Sequence, residues 1–443
     1  MAHVADRHET LVSSFEALRR DRSAEPDWLR GARTRAFDRF LDRGFPTTRL
    51  EDWKFTNIAP IASTPFVRAE PATLTPDVIQ PWLFDASVPH QFVVINGRYS
   101  WNHSSASALP AGVTISTLTG RDGAGRASDA ERAIEAIDGS LTPLVDLNTA
   151  FLDDIVFIDV APGTVCRDPL HVLFVTVGGD APVMASPRLV VRAGERAQAS
   201  IVETYTSLSG VTPFTNAVML MVVGPGAIVE HVKLQQEPLD AFHIAVMASR
   251  IDRAGTLASR AITLGGRIGR NDIVAVLDGE GAECTLNGVY VADGESLVDT
   301  HTTIDHAQPH CPSHEVYKGI LAGRARAVFN GKIIVRPDAQ KTDAKQTNKA
   351  LLLSGDAQMN TKPQLEIFAD DVKCTHGAAI GQLDDDQMFY LRARGIAEMD
   401  ARNMLIHAFV GEVLHGIGAP AVRDRARHAL EAKLSLAAIE ELV

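Results

Sequence analysis

The sequence predicts a mainly β chain, a β-solenoid body held between helical regions at its two ends. Three observations lead to that class. From about residue 155 to 382, short runs rich in Val, Ile, Thr and Leu alternate with Gly-centred turns, and no helical periodicity interrupts them. Within that stretch the turn-plus-strand units echo one another. Gly194, Gly226, Gly255, Gly281, Gly323 and Gly355 mark them at intervals of 32, 29, 26, 42 and 32 residues. A recurrence near thirty fits solenoid coils, each burying its apolar face on the next. A β-sandwich also has short strands, but its turn signals come about every 8–12 residues and its strands need not echo. The third observation is helical spacing of apolar residues before residue 45 and after 382. The organisation expected is therefore a helical and mixed region over 1–150, the β body over 151–382, and a helical tail over 383–443.

Taken in order, Leu11, Phe15, Leu18, Trp28, Ala32, Phe37, Phe40 and Leu41 recur at three- and four-residue spacing, and Pro46 stops the pattern. Pro60, Pro65, Pro71, Pro76, Pro81 and Pro89 are too dense for a regular element, so 60–90 reads as a linker or an irregular wrapping segment. Gln91–Tyr99 reads as a strand ending in an Asn-Gly turn. Short helices are expected over Glu131–Ala136 and Leu144–Phe151, then a strand over Ile155–Val160. In the tail, Asp384, Asp385 and Asp386 place carboxylates at a helix start, where the macrodipole favours them, and Arg392, Arg394 and Gly395 suit its end. A second helix buries Ala401, Leu405, Ala408, Phe409 and Val413, and a third runs from about Val422 to Leu436.

Composition narrows the function. The 443 residues are 45% hydrophobic and 22% charged, with a formal charge of −12. That balance belongs to a folded chain and argues against sequence-independent nucleic-acid binding, which needs a positive field. No stretch of about 18 apolar residues is available to span a membrane. Met1–Leu18 is polar and charged, unlike an export signal, so the default setting is reducing and cytoplasmic. The four cysteines, at 166, 284, 311 and 374, form no CxxC pair, which removes zinc ribbons and dense disulfide frameworks. Phosphate-binding loops fail as well. Gly331-Lys332 is followed by Ile333, Cys284 stands where a third glycine would follow Gly279 and Gly281, and no GxSxG occurs. His314-Glu315 resembles the start of HExxH, yet position 318 is lysine.

Four constellations remain. In Lys373-Cys374-Thr375-His376-Gly377, residues i and i+2 of a strand share a face, so Cys374 and His376 offer a thiolate and an imidazole side by side. Iron–sulfur centres and zinc accept both ligand types, but two ligands cannot close a four-ligand site. A second chain or a distant segment would have to supply the others. The plainer reading is a buried free cysteine near a hydrogen-bonded histidine. His301, Asp305, His306, His310, Cys311 and His314 look like a metal knot, yet Pro309 and Pro312 break any shared register, and structural histidines at solenoid turns are the competing reading. Lys341, Lys345 and Lys349 read as a phosphate-binding stripe or a solvated face; Asp343 interrupts the charge and favours the latter. Arg49, Glu51, Asp52, Trp53 and Lys54 read as a functional surface or as a salt-bridged capping segment.

Several of these segments together resemble the SufB/SufD family of iron–sulfur cluster assembly scaffolds. Residues 47–55 (TTRLEDWKF) are similar to the N-terminal signature of its SufD branch. Residues 309–318 (PHCPSHEVYK), 339–348 (AQKTDAKQTN) and 351–354 (LLLS) are similar to the core that both branches share. The most specific match is 372–382 (VKCTHGAAIGQ) followed by 388–396 (MFYLRARGI), and Gly377 departs from the Cys-x-His-Glu usual in SufB. The resemblance implies a right-handed parallel β-helix flanked by helices, pairing with a SufB paralogue through the β-helices and with the ATPase SufC through the helical tail. It implies a transient iron–sulfur cluster formed at the SufB–SufD interface, with His376 as a ligand and Cys374 beside it. Homodimerisation of the isolated chain stays open. The leading expectation is thus a scaffold, not an enzyme with its own turnover. The alternatives are a β-helix polysaccharide lyase or hydrolase with paired carboxylates, and a mononuclear metal protein built on His301–His314.

Overall fold

The computed structural model describes residues 9–105, 109–120, 123–137, 139, 141–208, 210 and 212–440; the polar start Met1–His8 lies outside them. From Val156 to Gly381 the chain winds as a parallel solenoid with two faces. Successive strands alternate between two sheets, and each pairs in parallel with the strand two positions on. The first sheet runs through Pro213–Val223, Phe242–Ile251, Ile268–Leu277, Leu297–His306 and Arg326–Val335. The second runs through Gln198–Ser207, Ile228–Gln235, Thr256–Thr263, Glu283–Ala292, Pro312–Leu321 and Asp343–Leu352, and ends on Lys373–Gly381.

Residues two apart on each strand face inward. Ile201, Val229, Leu257, Cys284, Leu286, Met219, Ile273, Ile304 and Phe329 belong to one apolar interior running along the axis. The intervening residues face outward; helices cover them on the early coils, whereas on later strands such as Leu297–His306 and Asp343–Leu352 buried positions alternate with partly exposed polar ones. The outer face of the first sheet, with Phe214, Phe242 and Ile268, meets Phe15, Phe37 and Phe40 of the helices Glu9–Asp21 and Asp27–Arg43. Helices Glu398–His415 and Pro420–Glu440 cover the outer face of the second sheet, setting Ile406, Val410 and Val422 against Val202, Val232, Ile262 and Val289.

The repeat is more regular than its glycines. Second-sheet strands begin at 198, 228, 256, 283, 312, 343 and 373. The turn before each of the first six holds one residue in the left-handed region: Arg196, Gly226, Ala254, Gly281, His310 and Lys341, with φ of 54–69°. Each of these amides donates to a carbonyl one coil further on, at 2.7–3.1 Å. Only two of those positions are glycine. The 42-residue interval arises because Gly323 and Gly355 mark turns leading into the other sheet, while His310 and Lys341 occupy the matching positions in phase.

Other expectations resolve in detail. The N-terminal helical stretch is two helices parted at Pro26. The 60–90 segment contains the short helices Ala59–Ser63 and Pro76–Ile79, and its strand Val67–Arg68 pairs with Val183–Ala185. His90–Ile95 turns at Asn96-Gly97, both at positive φ, into the antiparallel strand Arg98–Ser100. Helices stand at Gly123–Glu135 and Pro143–Phe151, and the tail contains Asp385–Arg392, Glu398–His415 and Pro420–Glu440.

Candidate ligand site at the open end of the solenoid

Lys373–Gly381 is the terminal strand of its sheet and, among the described residues, pairs only with Asp343–Leu352. Its register sets Cys374 beside Ala344 and His376 beside Gln346. Ala344 and Gln346 are buried on the inner face, so Cys374 and His376 share that face at the last coil, where no further coil covers them. Cys374 is half-buried and packs onto the apolar plug formed by Ile333, Val335, Ala344 and Ala369. Burial, helped by the charge of Asp343, pushes its thiol up and away from the thiolate form that ligates metal. His376 is exposed, as is every residue from Thr375 to Gly381. Its imidazole makes no hydrogen bond or ion pair among the described residues. The opposing last coil of the first sheet is broken at Lys362-Pro363, between Gln358–Thr361 and Gln364–Ile367. Proline has no amide proton for the ladder, which lapses there and resumes in the same register.

Beneath His376 stands a polar column. Gln346 is in register with Glu315 one coil below, and its Nε2 donates to Glu315 Oε2 at 2.7 Å. Both side chains are buried, and burial pushes the Glu315 carboxyl up to about 7. A second buried polar group lies deeper in the solenoid. His231 Nε2 meets Glu203 Oε1 at 2.7 Å, the Tyr205 hydroxyl donates to Glu203, and Lys233 Nζ donates to Asn271 Oδ1 at 2.5 Å. They line a void of about 20 Å³, space for one water molecule. Sequence reading assigned these residues no role. Their signal is polar residues at inward positions, visible only once strand register is known.

The other constellations separate. His301 Nε2 faces Asp299 on the outer face of the first sheet at 3.1 Å. His306 is buried against Ser313 at 3.0 Å, and His310 occupies its left-handed turn. Cys311 is buried with its thiol donating to the Gly279 carbonyl. No cluster of three or more His, Cys, Asp or Glu capable of holding a metal occurs among the described residues. The His301–His314 group is thus not gathered, and Cys374 with His376 is at most a partial ligand set. Lys341 pairs with Asp371 and Lys345 with Asp343, both exposed on turn and strand, so no helical stripe forms. Asp384 caps its helix, accepting from the Gln387 amide, with Asp385 and Asp386 in the first turn.

Residues 49–54 form a clamp. Trp53 is buried with the Arg270 guanidinium 3.7 Å above its ring. Arg270 also holds Asp299 at 2.5 Å, Asp272 at 2.7 Å and the Asp52 carbonyl at 2.8 Å. That is the capping reading, anchored on the outer face of the first sheet.

Comparison with known proteins adds a further line. A family model described as "SUF system FeS cluster assembly, SufBD core domain" matches residues 174–409, and one described as "SufBD protein N-terminal region" matches residues 6–172. A SufBD family protein of iron–sulfur cluster assembly from Synechocystis is 33% identical over 396 residues, 88% of this chain and 87% of that one. The iron–sulfur cluster assembly protein SufD of Escherichia coli is 32% identical over 383 residues, 85% and 86% of the two chains. SufD of Bacillus subtilis is 24% identical over 434 residues, 94% and 96% of the two.

Proposed function

The chain belongs to the SufB/SufD family of iron–sulfur cluster assembly proteins, and from that premise we propose that it is the SufD-type scaffold of a SufBCD complex. It has no turnover of its own and works in the cytoplasm. A SufB paralogue docks on the open end of the solenoid, and the nascent cluster forms between the two chains with His376 as this chain's ligand. The single observation that carries this reading is the placement of His376: exposed, without a partner among the described residues, on a terminal strand with one free edge. Such an edge presents unpaired backbone donors and acceptors to another chain. Cys374, half-buried with a raised thiol, serves as a secondary ligand that a docked partner or metal would have to draw out.

The tail is the seat of SufC. Phe389 is 74% exposed and Tyr390 55%, with Met399 and Met404 also exposed, a larger apolar display than a solvated helix pair needs. The two longer helices of the tail, Glu398–His415 and Pro420–Glu440, grip the solenoid. Lys318 Nζ donates to the Phe409 carbonyl at 2.8 Å and pairs with Glu412 at 2.6 Å, and Lys433 meets Asp293 at 2.8 Å. ATP binding by SufC would then shift the tail and, through it, the SufB contact, which requires contacts that differ between the two nucleotide states.

The test is co-expression with SufB and SufC chains followed by anaerobic reconstitution. A stable complex is expected, with cluster yield lost in His376→Ala while the complex still assembles. Full yield from that variant removes the ligand role, and failure of the three chains to elute together removes the scaffold.

A further inference from the structure

The geometry points to Gln346 as the positioning residue for the His376 imidazole: the ring, unbonded in the structure, turns onto the carboxamide oxygen, which accepts the Nδ1–H and leaves Nε2 free to bind metal. This rests on the ligand role proposed for His376. Four observations carry it. Gln346 and His376 are register partners on adjacent parallel strands, about 4.8 Å apart, with both side chains on the inner face. The Gln346 amide is held from the other end, because its Nε2 donates to Glu315 Oε2 at 2.7 Å. Gly331, across the interior, gives that amide its room: a Cβ there would collide with Gln346 Nε2. Finally, Gln346 Oε1 is buried and accepts nothing among the described residues.

A buried carbonyl oxygen without a donor is costly, and native chains satisfy nearly all such groups. The coil below already occupies the amide through Glu315. The next coil offers His376, whose ring N–H is a donor. Nδ1 is the ring nitrogen nearer the backbone and so the one within reach of a neighbour at strand spacing. Nε2 then projects from the open end, the side a docking chain approaches. Metal-bound histidines commonly have their second nitrogen held this way, which sets the tautomer and the ring orientation.

The test uses the full chain labelled with ¹⁵N-histidine, its ring nitrogens read by long-range ¹H–¹⁵N correlation at pH 8. His376 is identified by its loss in His376→Ala. In the native chain His376 is expected mainly as the Nδ1–H tautomer, the reverse of free imidazole side chains in water. In Gln346→Met and Gln346→Leu the ratio should invert to the free pattern, while the buried His231 and His306 signals stay put and report an intact fold. A native chain showing the free pattern overturns the proposal even if neither variant folds. So does an Nδ1–H tautomer that survives both substitutions. Failure of the ligand reading is separate: His376→Ala would leave cluster yield intact whatever the tautomer.

Discussion

Glu315 gives the most exacting physical prediction, because it lies in the column under His376 and its ionisation is opposed by burial. A carboxyl that titrates near 4.5 in the unfolded chain and near 7 in the fold holds its proton more tightly when folded. Below the unfolded value it is protonated in both states and contributes no pH dependence. Between about 4.5 and 7 the folded chain binds more protons than the unfolded one, so stability falls as pH rises, and above 7 the loss is complete. At about 1.4 kcal/mol per tenfold change, the group contributes a decline of about 3 kcal/mol across that window. Glu315→Gln keeps the shape and removes the titration. Chemical denaturation of both proteins at several pH values between 4 and 8 gives the difference, in which all other titrating groups cancel. The variant should gain on the native chain by about 3 kcal/mol from pH 4.5 to 7.5. Parallel stability profiles would refute the reasoning.

Other expectations follow from packing and backbone. The ring of Tyr290 lies over Gly319 and that of Tyr317 over Gly288, both rings buried, so Gly319→Ala should cost about 1–3 kcal/mol by overpacking. In a Tyr290→Leu background most of that cost should vanish; additive denaturation energies would contradict the nesting. His310 holds φ 61° in an exposed turn, and His310→Gly should stabilise by about 0.5–1 kcal/mol after the added chain entropy of glycine is deducted. A lower melting temperature would count against that. Lys318→Met removes the ammonium that donates to the Phe409 carbonyl and pairs with Glu412, and should loosen the Glu398–His415 helix by about 1–3 kcal/mol. Hydrogen exchange of those amides reads it directly, and unchanged protection would show that the lysine does not hold the tail.

The fold was legible because its strands are short and punctuated by turns, and because the flanking helices announce themselves at helical spacing. What stayed hidden was phase. Arg196, Ala254, His310 and Lys341 do at four turns what glycine does at Gly226 and Gly281, since the coil-to-coil hydrogen bonds hold a left-handed residue against its preference. Counting glycines therefore switches sheets at Gly323. The same substitution disguised His310 as a ligand and Lys341 as part of a basic stripe, when both are turn residues. Capping at Asp384 was readable because its partners are local in sequence. The clamp of Trp53 under Arg270 joins residues 217 positions apart, and nothing local in either segment names the other. At the site, Cys374 and His376 were readable as an i, i+2 pair. Glu315 and Gln346 needed the register of three coils to become a column beneath them.

The central claim is that His376 touches the cluster. Pulsed electron paramagnetic resonance tests it most directly, on a reconstituted and reduced complex in which this chain alone contains ¹⁵N-histidine. A ¹⁵N hyperfine coupling that disappears in His376→Ala is the predicted result. A cluster signal of full intensity with no nitrogen coupling from this chain would contradict it.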